Sequence, residues 1–258
     1  MKKIGITGGS GLLGKLLIKE LKKKKIQYSL FKKNIINKKE VISWLSKNKD
    51  VNYIFHLAAY TSVKNSNKNR SKAFNVNVLG TANLLKAINF LKKKRNIFFS
   101  SSSHVYDYSN IPIKENFKKK PVSYYGKTKL LAEKKIINNK NKYYKYCIAR
   151  IFSIYHKNQK KPFLYPSIKN KLKKTRYNKV NIYGANNIRD FLNADEVIQI
   201  ILKIFDKKLI GVYNIGSGKG MTVKKFINNY IDKKKIIIDN EIPNSLVANI
   251  AKLKKKLI

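Results

Sequence analysis

The stretch TGGSGLLG, residues 7–14, constrains this chain more than any other eight residues. It follows an apolar run, KKIGIT, and precedes KLLIKELKKK, whose leucines and isoleucine recur at helical spacing. Gly8, Gly11 and Gly14 stand three residues apart. A strand–turn–helix junction needs glycines where another group must come closer to the helix N-terminus than a Cβ allows. The free amides and positive dipole end there suit a pyrophosphate, and the third glycine lets the helix pack tightly on the sheet. The junction therefore predicts a dinucleotide cradle, with Gly8, Ser10, Gly11, Leu12 and Gly14 as cofactor-binding residues.

The pattern continues with a second strand in QYSLF and a helix in KKEVISWLSKN. A fully apolar strand, YIFHLAA, a helix over residues 75–94 and the strand NIFFSSS follow. After a loop holding Pro112 and Pro121 come the helix YYGKTKLLAEKKIINN and the strand YCIARIFSI. Apolar strands alternating with amphipathic helices predict an α/β fold, a doubly wound parallel sheet covered on both faces. Beyond residue 156 the pattern loosens into a small C-terminal lobe. There NADEVIQIILKIFDKK reads as a helix capped by Asn193, with acids in its first turn. Residues 1–165 are expected to form the dinucleotide-binding domain, completed by about 190–218, with 166–189 and 219–258 making the lobe.

The end of the second strand bears on which nicotinamide cofactor fits. An acid there binds the 2′-hydroxyl of NAD and a basic residue accommodates the 2′-phosphate of NADP. Lys32 and Lys33 occupy that place, which leans to NADP in a chain where lysine is common and leaves NAD open.

The formal charge is +45, which invites a nucleic-acid reading. Yet of 58 Lys plus Arg only Arg70, Arg95, Arg150, Arg176 and Arg189 are arginine, the residue that phosphate and base recognition favours. Asn, Ile, Tyr and Phe are in excess together with Lys, as an AT-rich coding bias produces. Nucleic acid is therefore not the expected partner. The single cysteine, Cys147, excludes an internal disulfide and a cysteine metal cluster, and no metal site is expected. The longest apolar stretch, VIQIILKIF, is far short of a membrane span, and MKKIGITGG lacks a signal-peptide core. A cytoplasmic protein is the expectation.

Tyr125 precedes Lys129 by one helical turn in SYYGKTKLLAE. With 16 tyrosines and 53 lysines, about three such spacings arise by chance, and five occur, beginning at Tyr28, Tyr60, Tyr125, Tyr165 and Tyr230. Spacing alone does not decide. Context does: TGGSGLLG, FHLAA at 55–59, NVLGTANLL at 77–85, FSSSSHVY at 99–106, YGKTKLLAE at 125–133, RIFSIY at 150–155, IRDFLNADEV at 188–197 and GVYNIGSG at 211–218 occur in one order along nearly the whole chain. In these segments the chain resembles the extended short-chain dehydrogenases/reductases of the NAD-dependent epimerase/dehydratase group, which act on nucleotide sugars.

The resemblance implies a Rossmann-type fold, with the C-terminal lobe binding substrate. It makes Tyr125 the general acid/base, and Lys129 the group that, helped by the positive charge of the oxidised nicotinamide, lowers its pKa and holds the nicotinamide ribose. Ser102, three before Val105, becomes the hydrogen-bond partner of the reacting oxygen, with Ser101 and Ser103 as alternatives. Ala58 and Ala59 would let the cofactor lie against the third strand, and Asn77 would pack near the catalytic strand. The other four Tyr/Lys pairs read as coincidences. His56 reads as structural, and His104 lacks the glycines of a nucleophile elbow, which excludes a Ser-His hydrolase.

Arg189 matches the family arginine that grips the substrate diphosphate, with a bridge to Asp190 or Asp195 as its structural alternative. Ser153 stands where the family has an asparagine that helps hold the same group, and is the other expected substrate contact. His156 and Lys157 replace a Gly-Pro pair. Ser103 and His104 replace the Asp-Glu pair of the sugar 4,6-dehydratases, which argues against water elimination. The chain also stops near where relatives continue, which predicts a reduced substrate lobe. A 4-epimerase and an NADPH-dependent 4-keto-sugar reductase both fit, the epimerase slightly better. A non-catalytic dinucleotide-binding or RNA-binding scaffold is the alternative of another class. The family commonly forms homodimers through the helix of Tyr125 and that of GTANLLKAI.

Overall fold

A computed structural model describes residues 3–139, 143–175, 179–231, 236–239 and 242–258. In chain order the first half holds β1 (Lys3–Thr7), α1 (Leu12–Lys23), β2 (Tyr28–Phe31), α2 (Lys38–Lys47) and β3 (Val51–His56). Then come α3 (Val63–Lys68), α4 (Arg70–Phe74), α5 (Gly80–Phe90), β4 (Arg95–Ser102), α6 (Tyr124–Ile137) and β5 (Tyr144–Ile151). The second half contains β6 (Ser153–Tyr155), α7 (Leu164–Lys174), β7 (Lys179–Asn181), β8 (Ile188–Asn193), α8 (Ala194–Asp206) and β9 (Gly211–Ile215). It closes with β10 (Gly220–Thr222), α9 (Val223–Tyr230), β11 (Ile236–Ile238), β12 (Ser245–Leu246) and α10 (Ala251–Leu257).

Six strands form one parallel sheet in the order β2-β1-β3-β4-β5-β9. Alternate side chains of each strand face opposite ways, so a sheet covered on both sides needs strands apolar throughout. Phe98 of β4 joins Ile4, Ile6, Leu17 of α1 and Val197, Ile201 of α8 on one face. Its neighbours Ile97 and Phe99 join Leu45 of α2, Leu84 and Ile88 of α5 and Ile136 of α6 on the other. This is the expected Rossmann-type layering. The direction of winding reverses between β1 and β3, and ligands of such sheets bind at the carboxyl ends of the strands flanking that point.

Several boundaries differ from the sequence reading. The helix expected over residues 75–94 begins at Arg70 and ends at Phe90, with a π-turn over Asn75–Leu79 in its middle. The strand expected through Ile154 stops at Ile151, and β6 crosses to another sheet, where it pairs with β8. That smaller sheet also carries β10 and β12 on β8, and β7 pairs with β11. Phe191 and Phe226 stack at 4.0 Å between rings in the core of this lobe. Asn193 caps α8 as expected, its side chain accepting the Asp195 amide at 2.9 Å. Arg176 and Lys234, the partner of Tyr230 in its spacing, lie outside the described residues.

Candidate active site

The glycine turn closes on the loop after β3. Gly8 has φ +77°, in the left-handed region, and a Cβ there would collide with the backbone of Leu57 and Ala58. A Cβ on Gly14 would meet the Gly8 carbonyl and lie 2.7 Å from Gly9 Cα. These two glycines are dictated by the protein's own packing. Gly11 is not: its Cβ would meet nothing nearer than the Gly8 oxygen at 3.4 Å. No side chain caps the amides of α1, although Asn37, Ser123, Asn193 and Thr222 cap α2, α6, α8 and α9. Space beside Gly11 and uncapped amides are what a pyrophosphate requires, so the turn fits a dinucleotide. Ser10 and Leu12 lie on the same turn, and Ala58 and Ala59 flank it after β3. Lys32 and Lys33 are exposed just past β2. A carboxylate also reaches this corner: Glu40 accepts the Asn34 amide at 3.1 Å.

Polar contacts tie the cradle to α6. His56 bridges Thr7 Oγ1 (2.7 Å) and Thr81 Oγ1 (2.9 Å) across β1, β3 and α5. Burial holds its pKa down to about 3, so the ring is neutral and structural, as expected. Asn77, in the π-turn, accepts the Tyr60 amide at 2.7 Å and donates to Thr128 Oγ1 at 2.8 Å, and Thr128 donates to the Tyr125 carbonyl. Its hydrogen bonds thus go to the helix of Tyr125 and the loop after β3. Thr81 and Thr128 carry no signal in the sequence, because their partners lie on other elements.

Ser102 ends β4 and opens a 3₁₀ turn, its Oγ accepting the His104 amide at 3.2 Å. Its hydroxyl also lies near enough to Tyr125 to pull against the rise in that phenol's pKa. Ser101 points to the other face of the sheet and donates to Glu133. The alternation of β4 therefore separates the serines and brings Ser102 to the tyrosine. Gly126 lets α6 press against this turn, since a Cβ there would strike the His104 carbonyl. His104 itself sits edge-on to Tyr125 at 6.1 Å, with Nδ1 3.0 Å from Ser123 Oγ.

The electrostatics differ from the expectation. The resemblance has Lys129 depress the Tyr125 pKa, but burial is the largest influence and raises it to about 12. Burial also lowers Lys129 to about 7, with Glu133 acting the other way. Its ammonium lies 4.3 Å from the Phe99 ring centre. Among the described residues only Ser102 opposes the rise of the phenol's pKa.

Arg189 also departs from the expected free fork. Its Nη1 donates to the carbonyls of Ile188 (2.8 Å) and Asn244 (2.9 Å), and its Nη2 to Asn244 Oδ1 at 2.6 Å. It bridges to neither acid. Asp190 accepts the amides of Ser217, Gly218 and Ala248, and Asp195 meets His156 at 3.2 Å. Burial, and after it the charge of Arg189, hold His104 down to about 4. Ser153 lies on β6 opposite Phe191. Among the described residues no cluster could hold a metal ion, and no helix is long and apolar enough to cross a membrane.

The family model described as the NAD dependent epimerase/dehydratase family matches residues 4–216. A GDP-6-deoxy-D-talose 4-dehydrogenase of Aggregatibacter actinomycetemcomitans is 30% identical over 86% of this chain and 76% of its own length. A putative UDP-glucose 4-epimerase of Methanocaldococcus jannaschii is 28% identical over 86% of this chain and 79% of its own. Among solved structures, the UDP-glucose 4-epimerase of Thermus thermophilus in complex with NAD superposes with a TM-score of 0.84, at 20% identity, over 98% of this chain and 92% of that one.

Proposed function

The chain belongs to the NAD-dependent epimerase/dehydratase family, and on that premise we propose that it moves a hydride at C4 of a sugar carried on a nucleotide diphosphate. The observation that carries the reading is the meeting of Ser102 and Tyr125, one turn before Lys129, at the carboxyl end of β4. Ser102 hydrogen-bonds the reacting oxygen and Tyr125 exchanges its proton. The phenol's raised pKa suits it to hold that proton until a cationic group arrives. A bound NAD or NADP supplies the hydride acceptor and a positive charge beside the phenol. Gly8, Ser10, Gly11, Leu12 and Gly14 would hold its pyrophosphate, Ala58 and Ala59 its flank, Lys129 its ribose, and Lys32 the adenosine end. Arg189 and Ser153 would take the substrate diphosphate, with Arg189 exchanging Asn244 for it.

In the epimerase reading the hydride leaves C4 and returns to the opposite face, so the cofactor is unchanged after a turnover. A 4-keto-sugar reductase, consuming one NADPH per turnover, is the second reading, and the relative named for a GDP-6-deoxy sugar favours it. The half-exposed Leu79 and the 70% exposed Phe90 on or beside α5 support a homodimer through α5 and α6, which light scattering tests. The deciding experiment identifies the nucleotide released on denaturing fresh protein, then follows interconversion of UDP-glucose and UDP-galactose. Retained NAD with interconversion supports the epimerase. An empty cradle that prefers NADPH and reduces a 4-keto sugar supports the reductase. Binding of neither cofactor overturns both.

A further inference from the structure

A cavity of about 520 Å³ opens at the other edge of the main sheet, where β3, β4 and β5 begin and α8 ends. Arg95 starts β4 and Ser102 ends it, so at ~3.3 Å per residue the cavity lies roughly 23 Å from the candidate active site. Nothing in the reaction proposed above uses it.

Its wall contains a buried cation with no counter-charge among the described residues. Arg95 is 3% exposed, yet it makes no ion pair among the described residues. Its Nε donates to the Val51 carbonyl at 3.1 Å and its Nη1 to the Lys93 carbonyl at 3.2 Å, which leaves Nη2 without a partner among the described residues. Buried guanidinium groups are ordinarily paired with an anion, because desolvation costs more than neutral carbonyls return. Burial alone accounts for the lowering of its pKa, with no carboxylate opposing it. Contrast Arg150, whose burial is matched by Glu133 at 2.7 Å.

A second group is idle in the same wall. Tyr53 is 4% exposed and its hydroxyl has no hydrogen-bond partner among the described residues. A buried phenol ordinarily finds an acceptor, and its raised pKa keeps it a neutral donor. Lys94, Lys145 and Lys208 surround the cavity, against one acid, Asp206. Phe205 supplies an apolar side, edge-on to Tyr53 at 4.7 Å. The volume suits a small molecule rather than a single ion.

We propose that this cavity binds a small phosphate-bearing ligand, with Arg95 as the buried anion contact, Tyr53 as a neutral donor and Lys145 as a rim charge. The phosphate could come from an organic monophosphate or from an inorganic polyphosphate, and AMP and inorganic pyrophosphate serve as the two probes. Equilibrium dialysis at physiological salt on the Gly11→Val chain, in which the dinucleotide turn is blocked, is expected to give one saturable site, and the variants below are made on that chain. Lys145→Glu should weaken it about tenfold or more, and Tyr53→Phe several-fold without lowering Tm. Arg95→Gln should abolish it, and Lys145→Glu answers the same question if that variant fails to fold. Tighter binding of AMP assigns the site to an organic phosphate, and tighter binding of pyrophosphate to a free one. Binding of neither probe overturns the proposal. So does a loss from the distant Lys224→Glu/Lys225→Glu pair equal to that from Lys145→Glu, which would be general attraction to a chain of charge +45.

Discussion

Arg150 grips Glu133 with two nitrogens, Nη2 to Oε2 at 2.7 Å and Nε to Oε1 at 3.0 Å, both side chains being almost wholly out of water. Ser101 donates to the same carboxylate, while Arg150 Nη1 reaches the Tyr106 hydroxyl at 2.8 Å and Tyr106 reaches Asn214 Oδ1 at 2.8 Å. The network welds the helix of Tyr125 to β4, β5 and β9. Removing one partner strands the other charge, so Glu133→Gln should cost about 3–5 kcal/mol of stability. Urea unfolding measures it. A cost below about 1 kcal/mol would show that Arg150 finds another partner or water.

This network also marks where the sequence stops being readable. Gly8, Gly11 and Gly14 were legible because a strand–turn–helix junction calls for glycine there, although the backbone that Gly8 presses against, Leu57 and Ala58, lies on another element. Ser102 was singled out by the resemblance, counting back three from Val105, with Ser101 and Ser103 left open, and the two-residue period of β4 turns Ser101 to the face opposite Ser102. Glu133 stood at the end of a recognised segment and Arg150 at the start of another, but nothing in either says that they meet. Arg189 could be found by its segment, while its capture by Asn244, 55 residues away, depends on how the second lobe folds back. The upward shift of Tyr125 in the protein alone was not legible for a related reason: spacing reveals that a lysine is near and says nothing of its desolvation.

The proton path is tested at Tyr125. Tyr125→Phe removes one oxygen from a phenol for which no donated hydrogen bond holds the fold together, so stability should stay within about 0.5 kcal/mol. Turnover should fall by about 10²–10⁴, the usual contribution of a positioned acid/base, with NADH affinity unchanged. Paired measurements of kcat and NADH fluorescence decide it. Full activity in the variant would remove Tyr125 from the chemistry.

Three buried bases make stability depend on pH. His56, His104 and Lys129 are held at about 3, 4 and 7, with burial the largest cause for each. Each folded value lies below the unfolded one, so between the two the unfolded chain binds more protons and stability rises with pH. For the histidines that window runs from the folded values up to about 6.5, and acidification through it should destabilise the protein. For Lys129 it runs from about 7 to about 10.4, with a slope of up to ~1.4 kcal/mol per pH unit. Unfolding free energies of wild type and Lys129→Met, compared from pH 6 to 10, should show the alkaline rise in wild type only. Parallel curves would mean that Lys129 stays charged in the folded state.

Gly11 and Gly14 should separate binding from folding. At Gly14 a methyl group would press on the Gly8 carbonyl and on Gly9 Cα, so Gly14→Ala should lose about 1–3 kcal/mol. Gly11 has φ −72°, which alanine adopts freely, and its Cβ would make only an ordinary contact at 3.4 Å. Gly11→Ala should therefore fold as well as wild type, or slightly better because the unfolded chain is less flexible. Its methyl group would nevertheless stand where a pyrophosphate must approach the α1 amides, and NADH affinity should drop about tenfold or more. Thermal unfolding together with NADH titration reads both effects. If Gly11→Ala bound NADH as tightly as wild type, the pyrophosphate would have to lie elsewhere on the turn.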